Sequence, residues 1–171
     1  MSPRILIVVM VVIIASSIAS LTYVVISFHK TVYISTSSLD QELGGKWSVL
    51  VRGQIEDPNG ISPIIAILLK GSIDNYYSSY YSTTTNLTVM VFKYNTSNLS
   101  DITQTIRNIY RILNWSVKNV SGGTNGFCIV SSNYQYLYLD YKDYLIVVVI
   151  SGVIHPNESV QVARMQEQLL N

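Results

Sequence analysis

The side chains that most often perform catalysis or bind metals are scarce in this sequence. Two histidines, His29 and His155, and one cysteine, Cys128, occur in 171 residues. A copper site of the cupredoxin kind needs two histidines, a cysteine and usually a methionine on one side of a membrane. Covalent haem needs Cys-x-x-Cys-His, and cysteine-rich zinc or iron-sulfur sites need several cysteines. We therefore expect no cofactor and no metal site.

The remaining motifs that could do chemistry are incomplete. A Ser-His-Asp hydrolase would depend on His155, but no Gly-x-Ser-x-Gly elbow is present, so we interpret His155 as a loop residue before the last helix. The glycine-rich residues 122–126 lack the Lys-Ser/Thr of a phosphate loop and predict a hairpin loop. Asp140 and Asp143 flank a turn, but calcium requires six to eight oxygen ligands. We expect a protein that is not an enzyme.

The single cysteine, Cys128, argues against an intrachain disulfide, and the charge distribution argues against nucleic-acid binding. One cysteine cannot form an intrachain disulfide, and the apolar residues 127–130 favour a small buried side chain. An intermolecular disulfide or a reactive thiol is the alternative. The net charge is +1 and the basic residues form no patch, so nucleic acid is not an expected partner.

The sequence gives a clearer indication of N-glycosylation than of catalysis, because six Asn-x-Ser/Thr triplets occur along the chain. N-glycosylation takes place on the exported side of a membrane. We therefore predict that the carboxyl-terminal domain is extracytoplasmic and carries N-linked glycans. The candidate sites are Asn86, Asn95, Asn98, Asn114, Asn119 and Asn157.

Residues 5–28 predict a transmembrane helix, because they contain no Asp, Glu, Lys, Arg or His. At about 1.5 Å per residue the segment reaches about 36 Å, which is enough to cross a hydrocarbon core with some tilt. A cleaved signal peptide is the alternative, with Ser17-Ile18-Ala19 as its cleavage site. The apolar run continues beyond that site, so we expect a retained anchor with a cytoplasmic amino terminus.

One side of this segment carries small residues in two interleaved pairs, four residues apart. Such pairs allow a second helix to approach closely in lipid. We therefore expect other transmembrane subunits as partners. The helix-packing candidates are Ala15, Ser16, Ala19 and Ser20.

The composition limits the rest of the chain to one exported domain. With residues 1–30 assigned to the anchor, residues 31–171 have the length of a single domain. Charged residues are only 12% of the chain, and 13 tyrosines are present, so hydroxyls, amides and glycans must hydrate the surface. The composition resembles that of secreted proteins of heat- and acid-loving archaea, without a family motif.

Hydrophobic periodicity predicts an α+β fold in which an antiparallel sheet carries one or two packed helices. Tyrosine-rich residues 74–85 predict a surface loop or edge strand, with stacking of four tyrosines on a sugar or partner as the alternative. The predicted helices are 100–114, with Ser100 as N-cap, and 158–169. The predicted strands are 31–38, 46–56, a central strand within 63–70, 87–94, 127–131, 134–141 and 144–151.

Three functions are compatible with these features. The first is a non-catalytic accessory or structural subunit of a membrane complex at the outer face of the cell membrane. The second is a pilin-like filament or envelope subunit, although the first residues lack a basic-then-Gly/Ala processing site. The third is a membrane-tethered ligand-binding domain.

Overall fold

The polypeptide folds around an antiparallel sheet. The computed structural model describes residues 32–55, 62–95, 99–120 and 125–171. Across these ranges seven strands form one sheet in the order β1-β2-β3-β7-β6-β5-β4, and each neighbouring pair is antiparallel. The strands are β1 (Ser48–Gly53), β2 (Asp74–Tyr81), β3 (Thr85–Lys93), β4 (Val117–Asn119), β5 (Gly126–Val130), β6 (Tyr134–Tyr141) and β7 (Tyr144–Gly152).

Four helices accompany the sheet in the described ranges, and two of them begin at serine caps. Ser35 accepts a hydrogen bond from the Ser38 backbone N–H at 3.1 Å. Ser62 accepts one from Ile65 at 3.4 Å, with Pro63 at the first helical position, where a missing N–H costs nothing. The helices are α1 (Thr36–Leu43), α2 (Pro63–Leu69), α3 (Leu99–Ile112) and α4 (Glu158–Leu169).

The helices cover both faces of the sheet and create two cores. On the first face, α1 and α4 pack through Leu39, Val162 and Ala163. On the second face, α2 and α3 pack through Leu68 and Ile106. The central strand β7 contributes alternate residues to each core, as an apolar strand covered on both sides should.

The α+β class and the antiparallel sheet are confirmed. The predicted strands 46–56, 87–94, 127–131, 134–141 and 144–151 correspond to β1, β3, β5, β6 and β7. The two-residue link between β6 and β7 forms the predicted hairpin. Four helices on two faces replace the expected one or two, because two predicted strands are helical.

Three local predictions were wrong. Residues 31–38 were expected to form a strand, but the Ser35 cap starts α1 within them. Residues 63–70 were expected to form a central strand, but Ser62 and Pro63 start α2. Residues 74–85 were expected to form a surface loop or edge strand, whereas β2 lies between β1 and β3.

Both helices expected outside the membrane are present. The bounds of α4 match the prediction, and Val162 and Ala163 supply its fully buried side. The helix α3 begins at Leu99, so Ser100 lies in its first turn and is not the N-cap. The predicted bounds extend past its end, where Leu113 is 58% exposed.

The predicted membrane anchor, residues 5–28, lies outside the described residues, as do the packing candidates Ala15, Ser16, Ala19 and Ser20. Of the helices that the structure does describe, none has the length and hydropathy to cross a bilayer. The domain boundary at residue 31 stays a prediction.

Candidate functional site

A polar groove opens on the first face beside the amino-terminal half of α4. Its volume is about 760 Å³, within the range of small-molecule sites. Three separate parts of the chain line it: residues 118–120, residues between 128 and 135, and residues between 154 and 164. It is therefore a product of tertiary structure, and we call it the α4 groove.

The short strands at this edge of the sheet explain why the groove exists. The helix α4 packs on β6 and β7, where Val162 and Ala163 are completely buried. The strands β5 and β4 extend the sheet beyond the helix. The start of α4 is fixed because Glu158 accepts a hydrogen bond from the His155 backbone N–H at 2.9 Å. The space between α4 and these two strands stays open.

The α4 groove is electropositive. Lys118 and Arg164 line it, and none of the described residues that line it is Asp or Glu. The ion pair in the described ranges joins Lys93 and Asp143 at 3.6 Å. It therefore involves neither Lys118 nor Arg164. Glu167, which lies one helical turn beyond Arg164, interacts with it electrostatically but does not line the groove.

Gln135 forms the buried wall of the groove and has an unpaired acceptor. Its side chain is 6% exposed, and its Oε1 atom has no hydrogen-bond partner among the described groups. Its neighbours across the sheet are Val130 on β5 and Ile150 on β7. A buried acceptor without a donor costs about 1–3 kcal/mol, so this side chain is poorly explained by packing alone.

Cys128 lies in the same wall and is partly exposed. Burial raises the pKa of its thiol, while the Ser159 hydroxyl and the positive charge of Lys118 act in the opposite direction. The thiol is therefore mainly protonated at neutral pH. The prediction of a small buried side chain is only partly right, because Cys128 borders the groove.

The five described glycosylation candidates, Asn86, Asn95, Asn114, Asn119 and Asn157, are all exposed. Two of them, Asn119 and Asn157, also line the α4 groove. Asn98 lies outside the described residues. Glycan attachment at all six sites stays a prediction.

The tyrosines of residues 74–85 do not form one stacking surface. They alternate across β2, so Tyr76 and Tyr80 point to the first face and Tyr77 and Tyr81 to the second. Tyr80 is buried and donates a hydrogen bond to the Ile34 carbonyl at 2.8 Å. Only Tyr81 of these four is exposed, so stacking by this segment is limited to one ring.

A different set of rings is exposed on the second face, beyond the end of α3. Tyr134 stacks on Tyr136 with ring centroids 6.3 Å apart, and Trp115 meets Tyr136 edge-on at 6.3 Å. Trp115 and Tyr134 are both large exposed rings, and Ile112 and Leu113 lie beside Trp115 in the chain. We call Trp115, Tyr134 and Tyr136 the aromatic surface.

The acidic candidates do not converge on a cation. Asp140 accepts a hydrogen bond from the Thr103 hydroxyl, whereas Asp143 pairs with Lys93. Throughout the ranges that the structure covers, no group of three or more His, Cys, Asp and Glu residues could hold a metal ion.

Asp140 is a carboxyl whose pKa the fold shifts strongly. Burial raises the pKa of Asp140 from 3.8 to about 6, while the Thr103 hydrogen bond and the Arg107 charge act in the opposite direction. Arg107 also donates from Nη2 to the Gly126 carbonyl at 3.2 Å. Asp140 thus lies under α3, the helix that carries Thr103 and Arg107, and not in the α4 groove.

Sequence reasoning missed the α4 groove and the aromatic surface. Lys118 and Arg164 are 46 positions apart in the sequence, and no local pattern joins them. Gln135 could have been noticed from the sequence. It is a polar residue on the face of β6 whose other members, Leu137 and Leu139, are apolar and buried.

Comparisons with known proteins are consistent with this architecture. No protein-family model and no curated protein matches the chain. The fold is similar to the extracellular domain of PknH from Mycobacterium tuberculosis, with a TM-score of 0.59, 12% identity, and coverage of 80% of this chain and 91% of that one. A GTP-binding regulator from Thermotoga maritima aligns with a TM-score of 0.40 and 13% identity over 79% of this chain and 89% of that one. The chain thus has an antiparallel α+β fold that also occurs in an extracellular domain, and the second likeness is too weak to add to this.

Proposed function

We propose that residues 31–171 form the extracytoplasmic, non-catalytic ligand-binding domain of a single-pass membrane protein. The observation that carries the proposal is the α4 groove itself, a concave site of about 760 Å³ that polar, apolar and cationic side chains from three parts of the chain line together. Concave sites with a few convergent polar groups are the usual places where small molecules bind. The structure described contains no constellation of nucleophile, base and orienting group beside the groove, which fits binding better than catalysis.

The location rests on three supports. The sequence predicts an anchor at residues 5–28, and the five described sequon asparagines are exposed. The fold is similar to that of a domain named as extracellular. A membrane-tethered domain that captures or senses a small solute outside the cell accounts for all three.

The test is a thermal unfolding screen of the full chain in detergent against neutral, cationic and anionic small molecules. A ligand present at 100 times its Kd should stabilise the protein by about 2.7 kcal/mol, or roughly 5–10 °C at this size. The variant Ser131→Trp fills the groove from an exposed position and should abolish the shift. Gln104→Trp places the same ring on the exposed surface of α3 and should retain it.

Two results would refute a ligand-binding role. One is the absence of a shift with every compound class. The other is an equal shift in Ser131→Trp and wild type, because that would place the binding site elsewhere.

A second function, an accessory subunit of a membrane complex, is favoured by the aromatic surface. Tryptophan and tyrosine are enriched where proteins contact each other, and Trp115 and Tyr134 are both exposed and both contact the ring of Tyr136. Mild detergent extraction followed by native gels and mass spectrometry should then show a stable partner. Trp115→Ala with Tyr134→Ala should release that partner, whereas Ser131→Trp should not.

A further inference from the structure

One end of the second face is exposed in the described ranges, and the sequon asparagine Asn86 lies within it. We propose that Asn86 carries an N-linked oligosaccharide whose first sugars pack on the ring of Tyr81 and cover this part of the sheet. The inference rests on the extracytoplasmic location proposed above and is independent of the α4 groove.

Burial on the second face decreases along the strands towards this end. On β3, Met90 is buried in the core beneath the helices, Thr88 is half-buried and Asn86 is exposed. On β7, Val147 is buried, whereas Ser151 is half-buried. Strand pairing places four residues of this end side by side, and we call them the open row: Tyr81, Asn86, Ser151 and Tyr134.

Asn86 differs from the other described sequon asparagines because it lies inside the sheet. Its strand is paired on both sides at this position, with Tyr81 on β2 and Ser151 on β7. The other described sequon asparagines lie at the ends of strands or helices or just beyond them: Asn95, Asn114, Asn119 and Asn157. A glycan on Asn86 therefore leaves the protein over the open row, with a neighbouring strand on each side.

The open row suits a sugar because it combines exposed rings with hydroxyl groups and carries no charge. Directly opposite residues of antiparallel strands have Cβ atoms about 4.5–5.5 Å apart. The ring of Tyr81, which is 47% exposed, is therefore next to the Asn86 amide. A sugar ring can pack its C–H groups on this ring and direct its hydroxyls towards Ser151.

The row is also long enough for more than one sugar. Tyr134 is 47% exposed at its other end and lies three strands away from Tyr81. Three interstrand spacings amount to about 14 Å. The oligosaccharide can therefore continue from Asn86 across Ser151 towards a second ring.

Attachment transfers the oligosaccharide from a lipid-linked sugar phosphate. The Nδ2 atom of Asn86 forms a bond to the anomeric carbon of the first sugar and loses one proton. The bond from that carbon to the donor phosphate oxygen breaks, and the phosphate leaves with the electron pair. In the folded sheet β3 is paired on both sides, and the Thr88 hydroxyl of the sequon is hydrogen-bonded to the Ser79 hydroxyl at 2.8 Å. The transfer therefore precedes strand pairing, and folding then brings Tyr81 against the sugar.

Site occupancy is the first measurement. The full chain is expressed in a host that attaches N-glycans to exported proteins and is purified in detergent. Mass spectrometry of its glycopeptides then compares Asn86 with the other sequons. Asn86 should carry a glycan.

Thermal unfolding of the glycosylated chain measures the contact with Tyr81. Asn86→Gln removes the glycan and should lower Tm by about 3–5 °C, the size expected for one lost aromatic contact. Asn95→Gln, which removes a glycan from a position beyond the end of β3, should leave Tm unchanged. In the background of Tyr81→Thr, which removes the ring and keeps a good strand former, Asn86→Gln should also leave Tm unchanged.

The same variants from a host without N-glycosylation separate the glycan from the side chain. In that protein Asn86→Gln should unfold at the same temperature as its parent. An equal loss of Tm in the two hosts would show that the asparagine itself is needed, and this would overturn the proposed role of the glycan.

The remaining outcomes separate this inference from the location on which it rests. Glycans on other sequons with a bare Asn86 overturn the inference and leave the extracytoplasmic location in place. No glycan on any sequon contradicts the location as well. A glycosylated Asn86 whose loss does not change Tm, or lowers it equally with and without the Tyr81 ring, shows that the sugars do not pack on Tyr81 and overturns the inference.

Discussion

Asp140 should make the domain more stable in acid than at neutral pH. Its pKa is about 6 in the folded protein, mainly because of burial, against an ordinary value of 3.8. The folded state therefore holds the proton more tightly than the unfolded state. The stabilisation from this proton is complete below about pH 3.8 and is lost as the pH rises through about 6.

The size of the effect follows from the shift and from the environment. A change from 3.8 to about 6 corresponds to at most about 3 kcal/mol. The carboxyl is only partly buried, and solvent screening reduces this figure to about 1–2 kcal/mol. Thr103 and Arg107 already oppose the shift, and Tyr94 is a neutral neighbour that feels the Asp140 charge.

Asp140→Asn tests the reasoning, because asparagine keeps the acceptor for Thr103 and removes the titration. Denaturant unfolding between pH 3 and 8 should give equal stabilities of variant and wild type near pH 3. Above pH 6 the variant should be more stable by about 1–2 kcal/mol. Glu167, whose pKa burial also raises, should leave a smaller slope of the same sign.

Asp143→Asn is the matched control, since Asp143 pairs with Lys93 at the surface at 3.6 Å. Such pairs contribute about 0–1 kcal/mol, so this variant should retain the acid-favouring slope of wild type. If Asp140→Asn keeps the wild-type slope between pH 4 and 6, then the buried carboxyl is not its source and the reasoning fails.

Three further predictions concern stability and are measured by denaturant unfolding. Gly152→Ala should cost more than about 2 kcal/mol, because φ is +109° and a Cβ would lie 2.1 Å from the Thr84 carbonyl oxygen; an unchanged midpoint would contradict this. Tyr138→Phe should cost about 1–2 kcal/mol, since it leaves the buried Tyr110 hydroxyl without its 2.8 Å partner. Gln135→Met should stabilise the ligand-free domain by about 1 kcal/mol by removing an unpaired acceptor, and a loss of stability would show that the amide is satisfied.

Much of the sheet could be predicted from sequence, because alternation is a local property. In β6, Tyr134, Tyr136 and Tyr138 lie on one side and Leu137 and Leu139 on the other, as the period of two requires. The hairpin between β6 and β7 also follows from local spacing. These features need no knowledge of the rest of the chain.

The helix α2 shows where apolar content misleads. Residues 63–69 are almost entirely apolar, and a short apolar run fits a covered strand or a buried helix equally well. The decisive signal was the start of the segment, with Ser62 as the cap and Pro63 at the first position. A covered central strand would not tolerate proline well, so the capping signal should have outweighed composition.

The anchor and its packing residues stay predictions. Replacing Ala15 and Ala19 by leucine should release a partner helix if the small side chains form the contact. The matched change of two apolar residues on the other side of the predicted helix, Val11→Leu and Val25→Leu, should not. Co-migration on native gels after mild extraction measures the difference, and unchanged co-migration of the alanine variant would contradict the packing hypothesis.

Gln135 shows how a binding site can leave a trace in a strand pattern. One row across the first face runs from Leu87 through Ile150 and Gln135 to Val130. Exposure along this row rises from 0% at Leu87 to 43% at Val130, so Gln135 stands where the core ends and the α4 groove begins. An apolar side chain there would complete the core at no cost in unpaired polar atoms. Glutamine at this position therefore lowers stability locally, and such departures from the packing rule are expected mainly where function requires them.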